Sequence, residues 1–228
     1  MKILELKPIP VIGKACVQFI RIDPEDISVT LSEILKSIMD LSWLKNFDAD
    51  FLAQSFEQRA QITIADIKNK FASCDEGKLT KDAGEYVVSE LAREVLISQL
   101  GYLDIPLAEL LGEKKSGNPG FDFHSQNNVT DTVIFGEAKY VSTHSTYPRA
   151  IEQIKEFIDD KKDIADIADL RDFCTTALNR VSSRLKGFAA AFSAKSTSSD
   201  RLISSTTAKD DFKELLKYEE VILVAVNL

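Results

Sequence analysis

Gly120-Phe121-Asp122-Phe123, then thirteen residues, then Glu137-Ala138-Lys139 is the stretch on which the reading of this chain turns. Residues 121–124 and 132–140 read as two short strands, with Ser125-Gln126-Asn127-Asn128 between them as turn chemistry. Strand, short loop, strand makes an antiparallel hairpin. Strand side chains alternate with period two, so Val133, Phe135, Glu137 and Lys139 share one face. Two charged groups therefore continue an apolar stripe, which is costly unless they are paired or metal-bound. The hairpin pairing brings Asp122 across from them, so two carboxylates and an ammonium converge.

Carboxylates and backbone carbonyls are hard oxygen ligands that suit Mg²⁺, an ion that keeps several waters and bridges to phosphate. Asp122, Glu137 and the carbonyl of Ala138 can hold one such ion, Mg²⁺ or Mn²⁺. The ion polarises a phosphodiester and lowers the pKa of a bound water. Lys139 is placed to orient that water or to stabilise charge on phosphorus. The expected chemistry is phosphodiester hydrolysis.

Upstream of the hairpin, Thr80 reads as the N-cap of a long helix over 80–101, with Gly101 as its C′ residue. A short helix over 106–111 and a Gly/Lys/Ser/Asn/Pro loop over 112–120 follow. At the start of the chain, 3–6 and 16–22 read as strands. Helices are expected from Pro24 and over 49–71, with a polar break at 73–77. Residues 1–78 are accordingly predicted as an N-terminal strand and helix extension, and 79–228 as the core. Downstream, helical pattern covers 147–162 and 169–194. The Ser/Thr-rich 195–205 reads as a mobile connection, 209–217 as a helix, and the fully apolar 221–226 as an interior strand. The fold class is α/β (α+β), a mixed sheet flanked by helices.

Composition narrows the partners. The 228 residues carry 28 Lys+Arg against 36 Asp+Glu, a net charge of −8, which argues against a broad phosphate footprint. The acids of 159–172 are expected on a solvated face or a partner surface. Locally, 175–199 holds Arg180, Arg184, Lys186 and Lys195 with no acid, and with Arg149, Lys155 and Lys139 these form a candidate phosphate-binding surface. Three well-separated cysteines and two histidines exclude a disulfide framework and a His-rich metal site. No apolar run approaches membrane-spanning length, so no membrane association and a cytoplasmic location are expected.

Asp, fourteen residues, then Glu-x-Lys resembles the signature of the PD-(D/E)xK nuclease superfamily, with Asp122, Glu137 and Lys139 in its three hallmark positions and Phe121 where the proline would stand. The resemblance covers roughly 80–226 and implies a restriction-endonuclease-like core, a Mg²⁺-dependent deoxyribonuclease activity and DNA as substrate. It also implies a metal-site glutamate on the helix before the hairpin. Glu90, which shares a face with Tyr86 and Glu94, is the first choice, with Glu94 and Glu85 in reserve. A Gln-x-x-x-Tyr motif in some members is similar to Gln153-Ile154-Lys155-Glu156-Phe157 and implies that Gln153 contacts the phosphate or base near the cut. The strand Gly136–Tyr140, the chain length and the α-rich N-terminal portion look like the nuclease subunit of the bacterial Hachiman anti-phage defence system, which implies a superfamily-2 helicase partner. The alternatives are a catalytically silent or partner-dependent regulatory subunit on the same fold, and an ordinary module carrying the motif by accident.

Overall fold

The structure, a computed structural model, describes residues 1–74, 78–112, 120–141 and 147–228. The break at 73–77 and the loop at 112–120 lie largely outside them. Six strands form one mixed sheet: β1 (Lys2–Pro8), β2 (Cys16–Asp23), β3 (Phe123–Asn127), β4 (Thr132–Lys139), β5 (Lys186–Ser193) and β6 (Glu220–Val226), in the order β1-β2-β6-β5-β4-β3. The four inner strands run parallel, and antiparallel β1 and β3 close the two edges. The expected α/β class with a mixed, helix-flanked sheet is what the chain adopts.

One face is covered by α1 (Ile27–Met39), α2 (Asp50–Ala72) and α3 (Lys81–Leu100), which bury Ile20, Ile22, Ile134, Ala189 and Val224. The other lies under α5 (Tyr147–Asp159), α8 (Thr175–Val181), α9 (Ser199–Thr207) and α10 (Asp210–Leu215), over Phe135, Phe188, Phe192 and Leu223. The short helices α4 (Ala108–Leu111), α6 (Lys162–Ala165) and α7 (Ile167–Leu170) fill the corners. Local chemistry sets the long elements. Thr80 caps α3 through its side chain onto the Ala83 N–H, and Gly101 ends it at φ 69°. α5 buries Ala150, Ile151, Ile154 and Phe157, one helical stripe. Among the described residues, no helix is long and apolar enough to cross a membrane.

Several sequence expectations change. Residues 1–78 are not an appendage: β2 pairs in parallel with β6, and α1 and α2 pack onto the face that holds α3. The hairpin turn falls at 128–131 rather than 125–128, because Asp131 takes the left-handed φ of 53°. The helix expected over 169–194 stops at Val181, and 186–193 is β5. An alanine-rich run favours helix when isolated, but here all eight residues are buried between two strands and two helix layers, and tertiary packing decides. The Ser/Thr-rich 195–205 is largely α9, started by the Ser198 side chain accepting from the Arg201 N–H. The acids of 159–172 are not uniformly solvated. Asp163 is buried against Lys186, and Asp166 accepts from His124 Nε2 at 3.2 Å. Each acid has a basic partner beneath it, which is what permits its burial.

Candidate active site

The parallel strands end on the same edge of the sheet, where α/β folds place their ligands. β4 runs three residues, Glu137, Ala138 and Lys139, past the residue that pairs with the first residue of β3. Phe123 faces Gly136, the Asp122 N–H donates to the Gly136 carbonyl at 2.8 Å, and β3 begins there. The Asp122 side chain continues the ladder in its place, with Oδ2 accepting from the Ala138 N–H at 2.7 Å. In an extended strand one residue's N–H and C=O point to the same side, so the Ala138 carbonyl faces the Asp122 side as well. Two glycines allow this packing. At Gly136 a Cβ would sit 2.3 Å from the Phe123 ring, and at Gly84 of α3 it would sit 2.1 Å from the Tyr140 ring.

Glu137 is 1% exposed, and Lys139 donates to its Oε1 at 2.5 Å. Its other oxygen, Oε2, is buried with no hydrogen-bond partner among the described residues. Burial, then the charge of Asp122, pushes the Glu137 carboxyl well above the ordinary glutamate range, and Lys139 offsets only part of this. Burial works against the Lys139 ammonium, but Glu137 and Asp122 outweigh it and raise its pKa above the usual lysine value. Glu85, also raised chiefly by burial, feels both Lys139 and Asp122. A cavity of about 340 Å³ opens beside this cluster, lined by Lys139, Glu85, Lys81, Arg149, Gln153 and Glu156 among others.

The structure therefore brings together Asp122, Glu137, Ala138, Lys139 and Gln153. It does not bring Glu90. That side chain is 2% exposed on another side of α3, where Arg93 holds it with two hydrogen bonds of 2.8 and 2.6 Å and Ser37 of α1 donates to it at 2.8 Å. Glu90 and Glu85 are five positions apart, about 140° around the helix, and the face with Glu85 is the one toward β4. Glu94 is exposed and feels Glu90 and Glu33 rather than the cluster. Glu85, the reserve, is the helix carboxylate at the site. His124 points into the core against Phe121 and Phe135, and His144 lies outside the described residues. Phe157, in the tyrosine position of the Gln153 motif, is buried edge-on against Phe121 at 5.2 Å.

The basic surface assembles only in part. Arg149 and Lys139 line the cavity and Lys81 joins them. Lys186 is instead buried on Asp163, Lys155 pairs with Asp159, and Arg180 donates to the carbonyls of Thr130 and Asp131, pinning the hairpin turn. Sequence reading missed Lys81. Its position directly after the Thr80 cap, on the first turn of the helix carrying Glu85, was the available signal.

Among the described residues, no three His, Cys, Asp or Glu side chains are grouped so as to hold a metal ion by themselves. Two carboxylates, a carbonyl and waters are nevertheless a donor set that suits Mg²⁺. The orphaned Glu137 Oε2 beside Asp122 fits such an ion: a buried carboxylate oxygen without a donor is stabilised by a cation. In comparisons with known proteins, no family model, no curated protein and no solved structure matches the chain.

Proposed function

We propose that the chain is a metal-dependent nuclease that hydrolyses phosphodiester bonds of DNA at the end of β4. One observation carries the reading: Asp122, Glu137 and Lys139 meet at one point, and the buried Glu137 Oε2 there has no partner. Asp122, Glu137 and the Ala138 carbonyl would hold Mg²⁺ or Mn²⁺, which would polarise the phosphodiester and supply an acidified water. The Ala138 N–H fixes the Asp122 carboxylate, so its orientation is set before substrate arrives. Lys139 carries its proton and presents positive charge where negative charge develops on the phosphoryl oxygens. Gln153 and Arg149, on the first turns of α5, line the cavity into which the neighbouring phosphates of a strand would run.

In the same reading the protein is the cutting subunit of an anti-phage complex in which a helicase supplies most of the grip on DNA. The net charge of −8, and the internal pairing of Lys186, Lys155 and Arg180, support a small DNA footprint for this chain alone.

The test is plasmid and linear DNA with Mg²⁺ or Mn²⁺, alongside Glu137→Ala and Lys139→Ala. Cleavage by the native chain and none by either variant is expected. Cleavage surviving in both variants would refute the site, and silence relieved by a helicase partner would place the activity in the complex.

A further inference from the structure

The cavity beside Glu137 spans the edge of the sheet. Its charged lining comes from three elements: Lys81 and Glu85 from α3 on one face, Lys139 from β4, and Arg149, Glu152 and Glu156 from α5 on the other. Lys139 is held by Glu137, and Lys155, also on α5, by Asp159. Lys81 and Arg149 differ. Both are exposed, and neither enters an ion pair among the described residues. Carboxylates stand close to each in sequence. Glu85 is four positions on from Lys81, the lysine-first order in which a helix pair is the weaker, and Glu152 and Glu156 are three and seven on from Arg149.

The phase of α5 sorts these groups. At about 100° per residue, Arg149 and Gln153 form a row on the side nearer the buried stripe of Ala150, Ile154 and Phe157. Glu152 and Glu156 form the next row outward. Burial agrees, since Gln153 is half-buried and both glutamates are exposed. The inner row of the cleft is therefore basic and polar, and its outer rim acidic. A polyanion is drawn to the inner row and kept off the rim. We propose that Lys81 and Arg149 are a two-sided clamp on the substrate backbone. They hold the phosphates on either side of the one being cut, so that the strand crosses the sheet edge from the α5 face to the α3 face. The clamp rests on the nuclease reading above and adds Lys81 and the course of the strand to it. Because neither cation is neutralised within the chain, no ion pair has to break when a phosphate arrives.

Binding is read by fluorescence anisotropy of a labelled duplex, in a Glu137→Gln parent without divalent metal, where the DNA stays whole. Each phosphate contact contributes about 0.9 to the slope of log affinity against log salt, or about 3.5-fold between about 50 and about 200 mM. That rise in salt should weaken the parent about 3.5-fold more than Lys81→Ala, and about 12-fold more than Lys81→Ala with Arg149→Ala. Lys81→Arg should keep the parent slope, and so should Lys45→Ala, which lies outside the cavity. Lys81 and Arg149 are exposed, so circular dichroism and melting temperature should stay as in the parent. In cleavage by the otherwise native chain, Lys81→Ala should lower kcat/KM mainly through KM, as loss of a group that holds substrate away from the reacting atoms does. A Lys81→Ala slope equal to the parent's, an equal drop for Lys45→Ala, or a loss confined to kcat would each overturn the clamp. Cleavage surviving in Glu137→Ala and Lys139→Ala refutes the site by itself, whereas silence in those two with an unaltered slope for Lys81→Ala refutes the clamp alone.

Discussion

Replacing Gly84 with alanine sets two effects of opposite sign against each other. In an exposed helix interior the change stabilises by about 1 kcal/mol, since alanine loses less backbone entropy. Here the new methyl meets Tyr140, with three ring atoms at 2.1, 2.3 and 2.6 Å where ordinary contact begins at 3.4 Å. The ring is 6% exposed, packed between α3 and the sheet. Helix or ring must move by about 1 Å, and overpacking of this kind costs about 1–3 kcal/mol. The net expectation is a loss of about 1 kcal/mol, or about 2–4 °C in Tm for a chain of this size. Urea unfolding at unchanged m reads it directly. A second arm makes the cause explicit: in a Tyr140→Ala background the same substitution should stabilise, by about the 1 kcal/mol that helix propensity predicts. Because Gly84 precedes Glu85 and Tyr140 follows Lys139, the displacement should also weaken any cleavage. A Gly84→Ala variant stabilised equally in both backgrounds would refute the close approach of α3 to β4.

Glu90→Ala should destabilise by about 3–5 kcal/mol in chemical denaturation, since it strips the buried Arg93 of its bidentate partner, while Glu85→Ala should leave stability nearly unchanged and depress cleavage. Free Mn²⁺ at about a hundred times its Kd should add about 2.7 kcal/mol to the native chain in a thermal shift and nothing to Glu137→Gln. Without metal, Glu137→Gln should melt higher than the native chain, because it removes a carboxylate that burial disfavours. Burial likewise raises the Glu220 carboxyl above 4.5, against the opposing hydrogen bonds from Tyr102 and Asn127. A raised acid binds its proton more tightly when folded, so native stability should fall relative to Glu220→Gln as pH climbs from about 4.5 through the folded value. Equal slopes for the two proteins over that range would contradict this.

The hairpin, both caps of α3 and the interior strand β6 were legible because local chemistry decides them: turn residues, Thr80, Gly101 and an unbroken apolar run. The meeting of Asp122, Glu137 and Lys139 was legible for the same reason, since strand alternation and a short loop leave little freedom. What was not legible depended on rotation or on burial by distant elements. Choosing between Glu85 and Glu90 needs the phase of α3 relative to the sheet, and that is set by Gly84 against Tyr140, a contact 56 positions apart. The Ala189-Ala190-Ala191 run reads as helix in isolation and becomes β5 only because strands lie on both sides of it. Asp163 and Asp166 look like solvent-facing acids until Lys186 and His124 are known to sit beneath them.

The pairing of β2 with β6 has a consequence for how the chain comes into being on the ribosome. Cys16 faces Glu220 and Ile22 faces Val226, so the second strand made waits for the last. During synthesis the β1–β2 hairpin must hold Phe19, Ile20 and Ile22 without the neighbour that buries them. Sheets closed by such remote contacts fold slowly, and their waiting edges are where newly made chains stick to one another. Arg21 strengthens that closure, reaching Asn227, the Thr197 and Ala194 carbonyls and the Ser199 hydroxyl from the middle of β2. Completion of the sheet is thus a late, all-or-none event, and expression yield should depend on chaperone supply more than the fold's final stability suggests.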